Sequence, residues 1–306
     1  MRDISVVKDF FSGRVLNLSR ENAKIILNVT NLPQSLRTDD RLKITFACRA
    51  LNMEDNFWLK KEGENLFFSD VNLRKNSLSE KSYDIAILGH HISATVDELR
   101  SDLSSAGMFP KFWKRENGKV FLWKTDKFRG ANSIAEIRTS EMINRTHAGD
   151  AVNYFLVEKD GLKFSVSECI TTDQKSLIHA QDGIDYCNHN NLSFHEYLSD
   201  LFGKEYWITK FSNMCVYDYV FANTDRHSEN WGFFVNENNK IREMAPLYDF
   251  NQCLLADEFG TDIDSLIYEP TGLTFKETIE KYGCYRSIDF SGVNLSKECK
   301  KRWKKV

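Results

Sequence analysis

The sequence predicts an α+β fold in which a small, mainly antiparallel sheet precedes a largely helical second half. Three observations predict it. Strand-like runs joined by short glycine-containing turns alternate with one helical segment over residues 100–171. Apolar residues recur at spacings of three and four over residues 205–223, as in a buried helix. The length of 306 residues suffices for one large domain or two moderate ones.

The composition is that of a folded chain. It is 42% hydrophobic and 28% charged with only 4 prolines, so it can form a full core. A net charge of −3 gives no general attraction to nucleic acid or anionic membrane. No apolar run approaches the ~18 residues of a membrane span, and charges interrupt the N-terminal stretch. The seven cysteines form no CxxC pair and fit reduced thiols. We expect a cytoplasmic protein that binds neither membrane nor nucleic acid directly.

Residues 1–95 are predicted to form an accessory N-terminal subdomain. A helix is expected over residues 19–32 with Ser19 as its N-cap. A second helix is expected after Thr38, followed by a hairpin that turns at Gly63. No reactive group stands out here, so we expect this region to pack on its neighbours or to contact a partner.

Residues 96–171 are predicted to form a small lobe. A loop, "SSAGMFPK", leads into two strands that turn at "ENG", and two further strands turn at "KDG". Between the two pairs, a helix is expected with Asn132 or Ser133 as its cap. Its apolar face would consist of Ile134, Ile137, Met142 and Ile143.

Residues 172–306 are predicted to form a helical large lobe that carries a polar loop. The loop "NTDRHSENWG" follows the helix ending near residue 223, and a predicted hairpin then leads to "APLYDF". Phosphoryl transfer needs oxygen ligands for Mg²⁺ and one carboxylate near the acceptor hydroxyl. Asp249 and the amide oxygen of Asn230 are suitable hard ligands, and Asp225 would face the hydroxyl.

These two segments together resemble the catalytic and metal-binding segments of HipA-like kinases, a family that contains bacterial toxin kinases of toxin–antitoxin modules. The resemblance implies a two-lobed protein-kinase-like fold with a small antiparallel-sheet N-lobe, a helical C-lobe, and ATP and Mg²⁺ bound between them. By position, Asp225 matches the catalytic aspartate and His227 a histidine that shapes the loop. Asn230 and Asp249 match the metal ligands.

The same resemblance assigns a nucleotide site. Lys124, at the end of a strand, would contact phosphate and pair with Glu136, although Glu141 is also within the helix. The loop "SSAGMFPK" resembles the family's phosphate loop, and residues Glu168 and Ile170 would meet the adenine edge. The loop residues concerned are Ser104, Ser105, Ala106, Gly107 and Lys111. Ser104 also matches a serine that some family members autophosphorylate.

The implied activity is transfer of the γ-phosphate of ATP to a serine or threonine hydroxyl of an unidentified protein. A toxin role and a small DNA-binding antitoxin partner follow from the family alone. The segment reads "DFN" where ordinary protein kinases have Asp-Phe-Gly, and no Gly-x-Gly-x-x-Gly occurs. Three alternatives stay open: a phosphoinositide-type lipid kinase, a non-catalytic nucleotide-binding scaffold with a kinase fold, and a metal nuclease that would use Asp225, His227 and Asn230.

Overall fold

The structure is a computed structural model. It describes residues 4–35, 37–126, 130–238 and 240–306. Its contacts divide the chain into two compact units. Unit 1 consists of Met1–Lys127 and Lys159–Ser176, and unit 2 of Phe128–Glu158 and Leu177–Val306. The division into regions 1–95, 96–171 and 172–306 describes function rather than compactness, and it stays a prediction.

Unit 1 opens with short helices around an apolar core. They are α1 (Ile4–Gly13), α2 (Ala23–Val29), α3 (Thr38–Ala47), α4 (Phe68–Val71), a π-helical turn (Tyr83–Ile87) and α5 (Arg100–Leu103). Helix α3 begins where predicted, with two aspartates in its first turn that favour the positive end of the helix dipole. The core consists mainly of Leu16, Ile26, Leu27, Ile44, Ile85, Leu99 and Leu103.

Two local predictions in this region are wrong. Ser19 does not cap α2, because the helix begins only after Asn22, which adopts a left-handed conformation with φ 63°. The hairpin around Gly63 is also absent: residues 56–67, all of them described, contain a turn at Gly63 but no strand. Gly63, with φ 80°, can make a turn by itself. A hairpin also needs pairing between the two flanking segments, and these residues do not pair.

The sheet of unit 1 contains β1 (Lys111–Glu116), β2 (Lys119–Lys124) and β4 (Leu162–Glu168), with β2 antiparallel to both neighbours. The predicted "ENG" turn is confirmed. Asn117 and Gly118 have φ 50° and 79°, as a tight type I′ hairpin turn requires. One face of the sheet is closed by contacting aromatic rings from Tyr83, Phe112, Trp123 and Phe164.

Unit 2 contains most of the helices. Its α-helices are α6 (Ala131–Asn144), α7 (Ala180–His189), α8 (Phe194–Phe202), α9 (Lys204–Val220), α10 (Leu255–Glu258), α11 (Phe275–Tyr282) and α12 (Lys297–Trp303). Its strands are β6 (Gly232–Asn236), β7 (Ile241–Met244), β8 (Ile267–Tyr268) and β9 (Leu273–Thr274), and there are 3-10 turns at Ile263–Ser265 and Gly283–Tyr285. Strands β3 (Tyr154–Lys159) and β5 (Lys175–His179) lie where the chain passes between the units.

Helix α9 forms the centre of unit 2. From Phe211 to Val220 every residue is buried, including Asp218. The predicted helix is therefore confirmed, and its C-terminal half is enclosed on all sides. The predicted hairpin after it is also confirmed, since β6 and β7 pair antiparallel. Within its predicted turn, Asn239 lies outside the described residues.

Helix α6 differs from its prediction in two ways. Its N-cap is Gly130, in a left-handed conformation with φ 68°, rather than Asn132 or Ser133. Its fully buried face is partly polar: of the predicted apolar face only Ile143 is fully buried. The buried residues are Ser133, Ala135, Glu136, Thr139, Ser140 and Ile143. Polar side chains can be buried when they have hydrogen-bond partners. Here those partners lie in other segments of the chain, and the periodicity of the helix does not reveal them.

The architecture is a mixed one of helices and antiparallel strands, as the predicted α+β class requires. Among the described residues, no helix combines the length and apolar character needed to span a bilayer.

Candidate active site

The polar loop starts directly after α9. Ala222 turns the chain with φ 51°, and the next side chain, Asn223, is fully buried. The Asn223 amide donates to the Asp218 carboxylate at 2.8 Å, and its oxygen accepts the N–H of Asp225 at 3.2 Å. The backbone of half-buried Asp225 is thereby fixed to the end of the helix.

Arg226 joins this loop to the second motif. Its side chain and that of Asp218 are 0% and 1% exposed and form a bidentate pair at 2.9 and 3.0 Å. The remaining guanidinium nitrogen donates to the carbonyl oxygens of Asn230 and, at 2.7 Å, of Tyr248. One buried arginine therefore binds the backbone of both predicted segments. Tyr268 adds a 2.6 Å hydrogen bond to Asp218.

The charge on Arg226 is maintained by its partner. Burial by itself lowers the pKa of Arg226, but the facing Asp218 carboxylate outweighs burial and raises that pKa above its ordinary value. Such a pair is well compensated only while both members are present. The sequence alone suggests no role for either residue. Arg226 lies inside the quoted loop, and an aspartate within the apolar end of α9 was the available signal for Asp218.

Asn230 is buried and oriented within the loop. Its side-chain N–H donates to the Asp225 carbonyl at 2.7 Å, so the amide oxygen points the other way. The backbone N–H of Asn230 donates to the carbonyl of His227 at 2.9 Å, and the backbone N–H of His227 donates to the carbonyl of Asp225 at 3.0 Å. His227 is half-buried, and its ring accepts the N–H of Glu229 at 3.3 Å. These bonds close the loop into a compact turn.

Asp249 lies on the other segment in an unusual backbone conformation. Its φ is 58°, which aspartate tolerates better than most residues. Its N–H donates to the Tyr154 hydroxyl at 3.3 Å, and its carboxylate accepts from the Asn251 side chain. The carbonyl of Asn251 accepts from Asn132 on α6 at 2.9 Å. The segment is thus bonded to both β3 and α6.

Tyr154 connects Asp249 to the predicted helix glutamate. Glu136 is 0% exposed, and its carboxylate lies within hydrogen-bonding reach of the Tyr154 hydroxyl. Burial first, and then the negative charges of Glu136 and Asp249, raise the pKa of Tyr154 well above its ordinary value. The phenol therefore stays protonated and can donate to one carboxylate while it accepts the Asp249 N–H. Tyr154 belongs to no motif, so nothing in the sequence indicates this role.

The donor set of this cluster suits a hard cation. Carboxylate and amide oxygens are ligands that Mg²⁺ accepts, and Arg226 holds the carbonyls of Asn230 and Tyr248, the residue before Asp249. Within the part of the chain that the structure describes, no three His, Cys, Asp or Glu side chains form a metal-binding group. In proteins, Mg²⁺ usually keeps several waters and is held by only one or two carboxylates.

The predicted phosphate loop lies between α5 and β1 in unit 1. Ser104 is buried and donates to the Arg100 carbonyl at 2.9 Å. Gly107 has φ 85°, and the ammonium of Lys111 lies 2.6 Å from where a Cβ on Gly107 would be. Lys111 stands directly opposite Lys124 in the β1–β2 register, so both side chains project from the same face of the sheet.

The remaining predicted residues lie at the ends of strands in unit 1. Lys124 is 8% exposed and faces Ser165 across β2 and β4. Glu168 is exposed and forms a 2.7 Å ion pair with Lys119, and Ile170 is half-buried two residues later. The residues of the predicted site are thus grouped within each unit. Glu136, Asp225, Asn230 and Asp249 belong to unit 2, and the loop, Lys124, Glu168 and Ile170 to unit 1.

A separate surface groove of about 730 Å³ lies at the start of α9. Its lining includes His147, Lys204, Lys210 and Ser287 but none of the predicted site residues. The groove is open, and its Lys210 is engaged by Asp150 at 3.2 Å. The candidate active site is therefore the hydrogen-bonded network around Arg226.

Comparison with known proteins gives matches among curated proteins and among solved structures. No protein-family model matches the chain. A curated relative, the serine/threonine-protein kinase CtkA of Helicobacter pylori, is 43% identical over 44 residues, which is 14% of this chain and 14% of that protein. The crystal structure of the H. pylori proinflammatory kinase CtkA matches with a TM-score of 0.44 and 18% identity over 50% of this chain and 57% of that one. This chain thus spans a small part of the curated relative and little more than half of the CtkA structure.

A second solved structure matches over nearly the whole chain. It is HipA of Shewanella oneidensis, in a complex of the toxin–antitoxin system with HipB and operator DNA. The TM-score is 0.51 at 14% identity, over 96% of this chain and 75% of that one. Identity this low speaks for the fold and not for the activity. The resemblance to HipA-like kinases that the two motifs predict is therefore confirmed for the fold of this chain.

Proposed function

We propose that the protein is an ATP- and Mg²⁺-dependent kinase with the two-lobed HipA-like arrangement, which phosphorylates a serine or threonine hydroxyl of a protein. One observation carries the proposal. Arg226 binds the carbonyls of Asn230 and Tyr248, so the loop with Asp225 is held beside the segment with Asp249. A catalytic carboxylate and metal ligands must lie close together for phosphoryl transfer, and the bonds from Arg226 favour that arrangement of the two segments.

The residues of unit 2 would supply proton handling and metal binding. Asp225, with its backbone fixed by Asn223, would orient the acceptor hydroxyl and accept its proton. Asn230 and Asp249 would hold Mg²⁺, which when bound neutralises charge on the transferred phosphoryl group. His227 would keep the loop closed through its backbone bonds.

The residues of unit 1 would bind the nucleotide. Lys111 and Lys124 stand opposite each other on one face of the sheet, where their ammonium groups would contact phosphate. The loop from Ser104 to Lys111 lies at the same strand end. The backbone near Glu168 and Ile170 would contact adenine. Pairing of Glu136 with Lys124 stays a prediction.

The physiological setting is proposed from the HipA structure alone. That protein is bound to HipB and operator DNA, so a small DNA-binding antitoxin is the partner to seek for this chain. A cytoplasmic location fits the scattered free cysteines. Its substrate would be another protein.

Incubation of cell lysate with γ-labelled ATP and Mg²⁺ tests the proposal. The natural protein should label a protein band, and Asp225→Ala should lower labelling by roughly 10²–10⁴-fold. Asp249→Asn should abolish it at low Mg²⁺. Asp200→Ala, an exposed aspartate on α8, is the matched control and should label normally.

Two outcomes would contradict the proposal. ATP binding without any transfer would indicate a non-catalytic scaffold with a kinase fold. Labelling of phosphoinositide vesicles in place of protein, lost in Asp225→Ala, would indicate a lipid kinase.

A further inference from the structure

Arg20 lies in the segment between α1 and α2, in the region for which the sequence suggests no function. It is 2% exposed. Its guanidinium donates to three consecutive carbonyl oxygens of the phosphate loop: to Gly107 at 3.0 Å, to Ala106 at 2.6 Å, and to Ser105. A planar fork with several N–H donors suits convergent carbonyls in a way that a single ammonium does not.

The bonds to Arg20 determine where the loop's amides point. The C=O and N–H of a trans peptide point in opposite directions, and the structure has no cis peptide among its described bonds. When the carbonyls of residues 105–107 face Arg20, the N–H groups of Ala106, Gly107 and Met108 face away from it. These three residues are exposed, and their N–H groups donate to no residue that the structure describes.

Positive charge borders the same amides. The Lys111 ammonium lies beside Gly107, and Lys124 stands next to Lys111 across the strands. Consecutive outward N–H groups with a neighbouring cation form an anion-binding concavity. The loop therefore has one side that binds arginine through carbonyls and another that offers amides to an anion.

The arginine is held where burial opposes its charge. Burial lowers the pKa of Arg20 to about 10, while nearby Asp102, itself buried, acts in the opposite direction. One terminal nitrogen of Arg20 has no hydrogen-bond partner among the described residues. A buried guanidinium that is incompletely bonded adds little stability, which favours a role in fixing the conformation of the loop.

We propose that Arg20 is a positioning residue that holds the loop in the conformation whose amides bind the phosphates of a nucleotide. The identity of the ligand rests on the proposed kinase function. The proposal gives the N-terminal region a part in that site: it supplies the group that shapes the loop, without touching the nucleotide itself.

Three variants test this role. Arg20→Gln removes the charge and most of the donors, and Arg20→Lys keeps the charge with fewer directed bonds. Arg115→Gln is the matched control, because Arg115 also donates to three carbonyls, those of Leu73, Arg74 and Asn76, in a different loop of unit 1. Melting temperatures verify that each variant is folded.

The first measurement is binding of ATP, adenosine and inorganic tripolyphosphate. Arg20→Gln should weaken ATP and tripolyphosphate by about tenfold or more and leave adenosine unchanged. Arg20→Lys should lie between Arg20→Gln and the natural protein, and Arg115→Gln should bind all three ligands normally. Equal ATP affinity in Arg20→Gln and the natural protein would overturn the proposal. So would a parallel loss of ATP and adenosine, because that pattern indicates general damage.

The second measurement needs no ligand. Proteinase K cleavage between residues 105 and 109 should be several-fold faster in Arg20→Gln than in Arg115→Gln, since cleavage follows local opening. If the natural protein binds no ATP, the proposed function fails. The cleavage rates and the tripolyphosphate affinities then decide the role of Arg20 separately, and an unchanged rate in Arg20→Gln rejects it.

Discussion

Replacement of Arg226 by methionine removes the group that joins the two motifs of unit 2. Methionine keeps an unbranched apolar chain but is shorter and has no charge and no donors. The change deletes the bidentate pair with Asp218 and the bonds to the carbonyls of Asn230 and Tyr248. It also leaves Asp218, whose side chain is 1% exposed, as an uncompensated buried carboxylate.

The magnitude follows from that burial. Breaking a buried ion pair by removing one partner lowers the free energy of unfolding by about 3–5 kcal/mol. For a unit of this size, such a loss lowers the melting temperature by roughly 6–20 °C. An exposed pair is worth about 0–1 kcal/mol, so Lys276→Met, which removes a pair with side chains 66% and 65% exposed, is the control.

Differential scanning calorimetry and urea unfolding measure the effect, and the labelling assay measures its functional consequence. The double variant Asp218→Asn/Arg226→Met should be less destabilised than the sum of its single variants, because the unpaired charge is then absent. If Arg226→Met melts within 2 °C of Lys276→Met, a threshold set well below the roughly 6–20 °C expected, the buried pair does not organise this site.

Three further predictions concern single residues, two in unit 1 and one in unit 2. Gly107→Ala should weaken ATP binding in a titration and lower the free energy of unfolding by about 1–2 kcal/mol, because φ 85° disfavours a residue with a Cβ and the Lys111 ammonium must move to make room. An unchanged ATP affinity would show that the loop tolerates the strain. Burial raises the pKa of Asp102 to about 6 from 3.8. The folded state therefore binds this proton more tightly, so the contribution of Asp102 to stability should be greatest below about pH 4 and be lost as pH rises through about 6. The difference in unfolding free energy between the natural protein and Asp102→Asn, measured by urea unfolding at each pH, should change over that range, and a constant difference would contradict the prediction. Tyr154→Phe leaves the Asp249 N–H without its acceptor, so stability should fall by about 1–3 kcal/mol in thermal unfolding; a neutral result would mean that this bond contributes nothing.

Features determined by a few neighbouring residues were predicted well. The turn at Asn117–Gly118 depends on two residues that accept positive φ, and both adopt it. The turn at Asp160–Gly161 behaves in the same way, with φ 51° and 74°. The long helix before the polar loop also follows from its apolar spacing.

Helix starts and burial were predicted less well. Asn22 and Gly130 precede their helices in left-handed conformations, so neither helix uses the serine or asparagine cap that the sequence favours. The buried face of α6 includes Glu136, which periodicity would place in solvent. Its partner, Tyr154, lies on a strand, and nothing in the local pattern of α6 indicates that contact.

The sequence by itself determined the order and spacing of Asp225, Asn230 and Asp249, and the alternation of strands and turns before them. These properties depend on residues close together in the chain, where backbone preferences and periodicity act. Only the tertiary structure decided which groups fix those motifs in place. Arg20 reaches carbonyls 85 to 87 positions away, and Arg226 reaches Tyr248 across 22. Buried hydrogen bonds over such separations form only when the whole fold excludes water from them, and no local pattern encodes them.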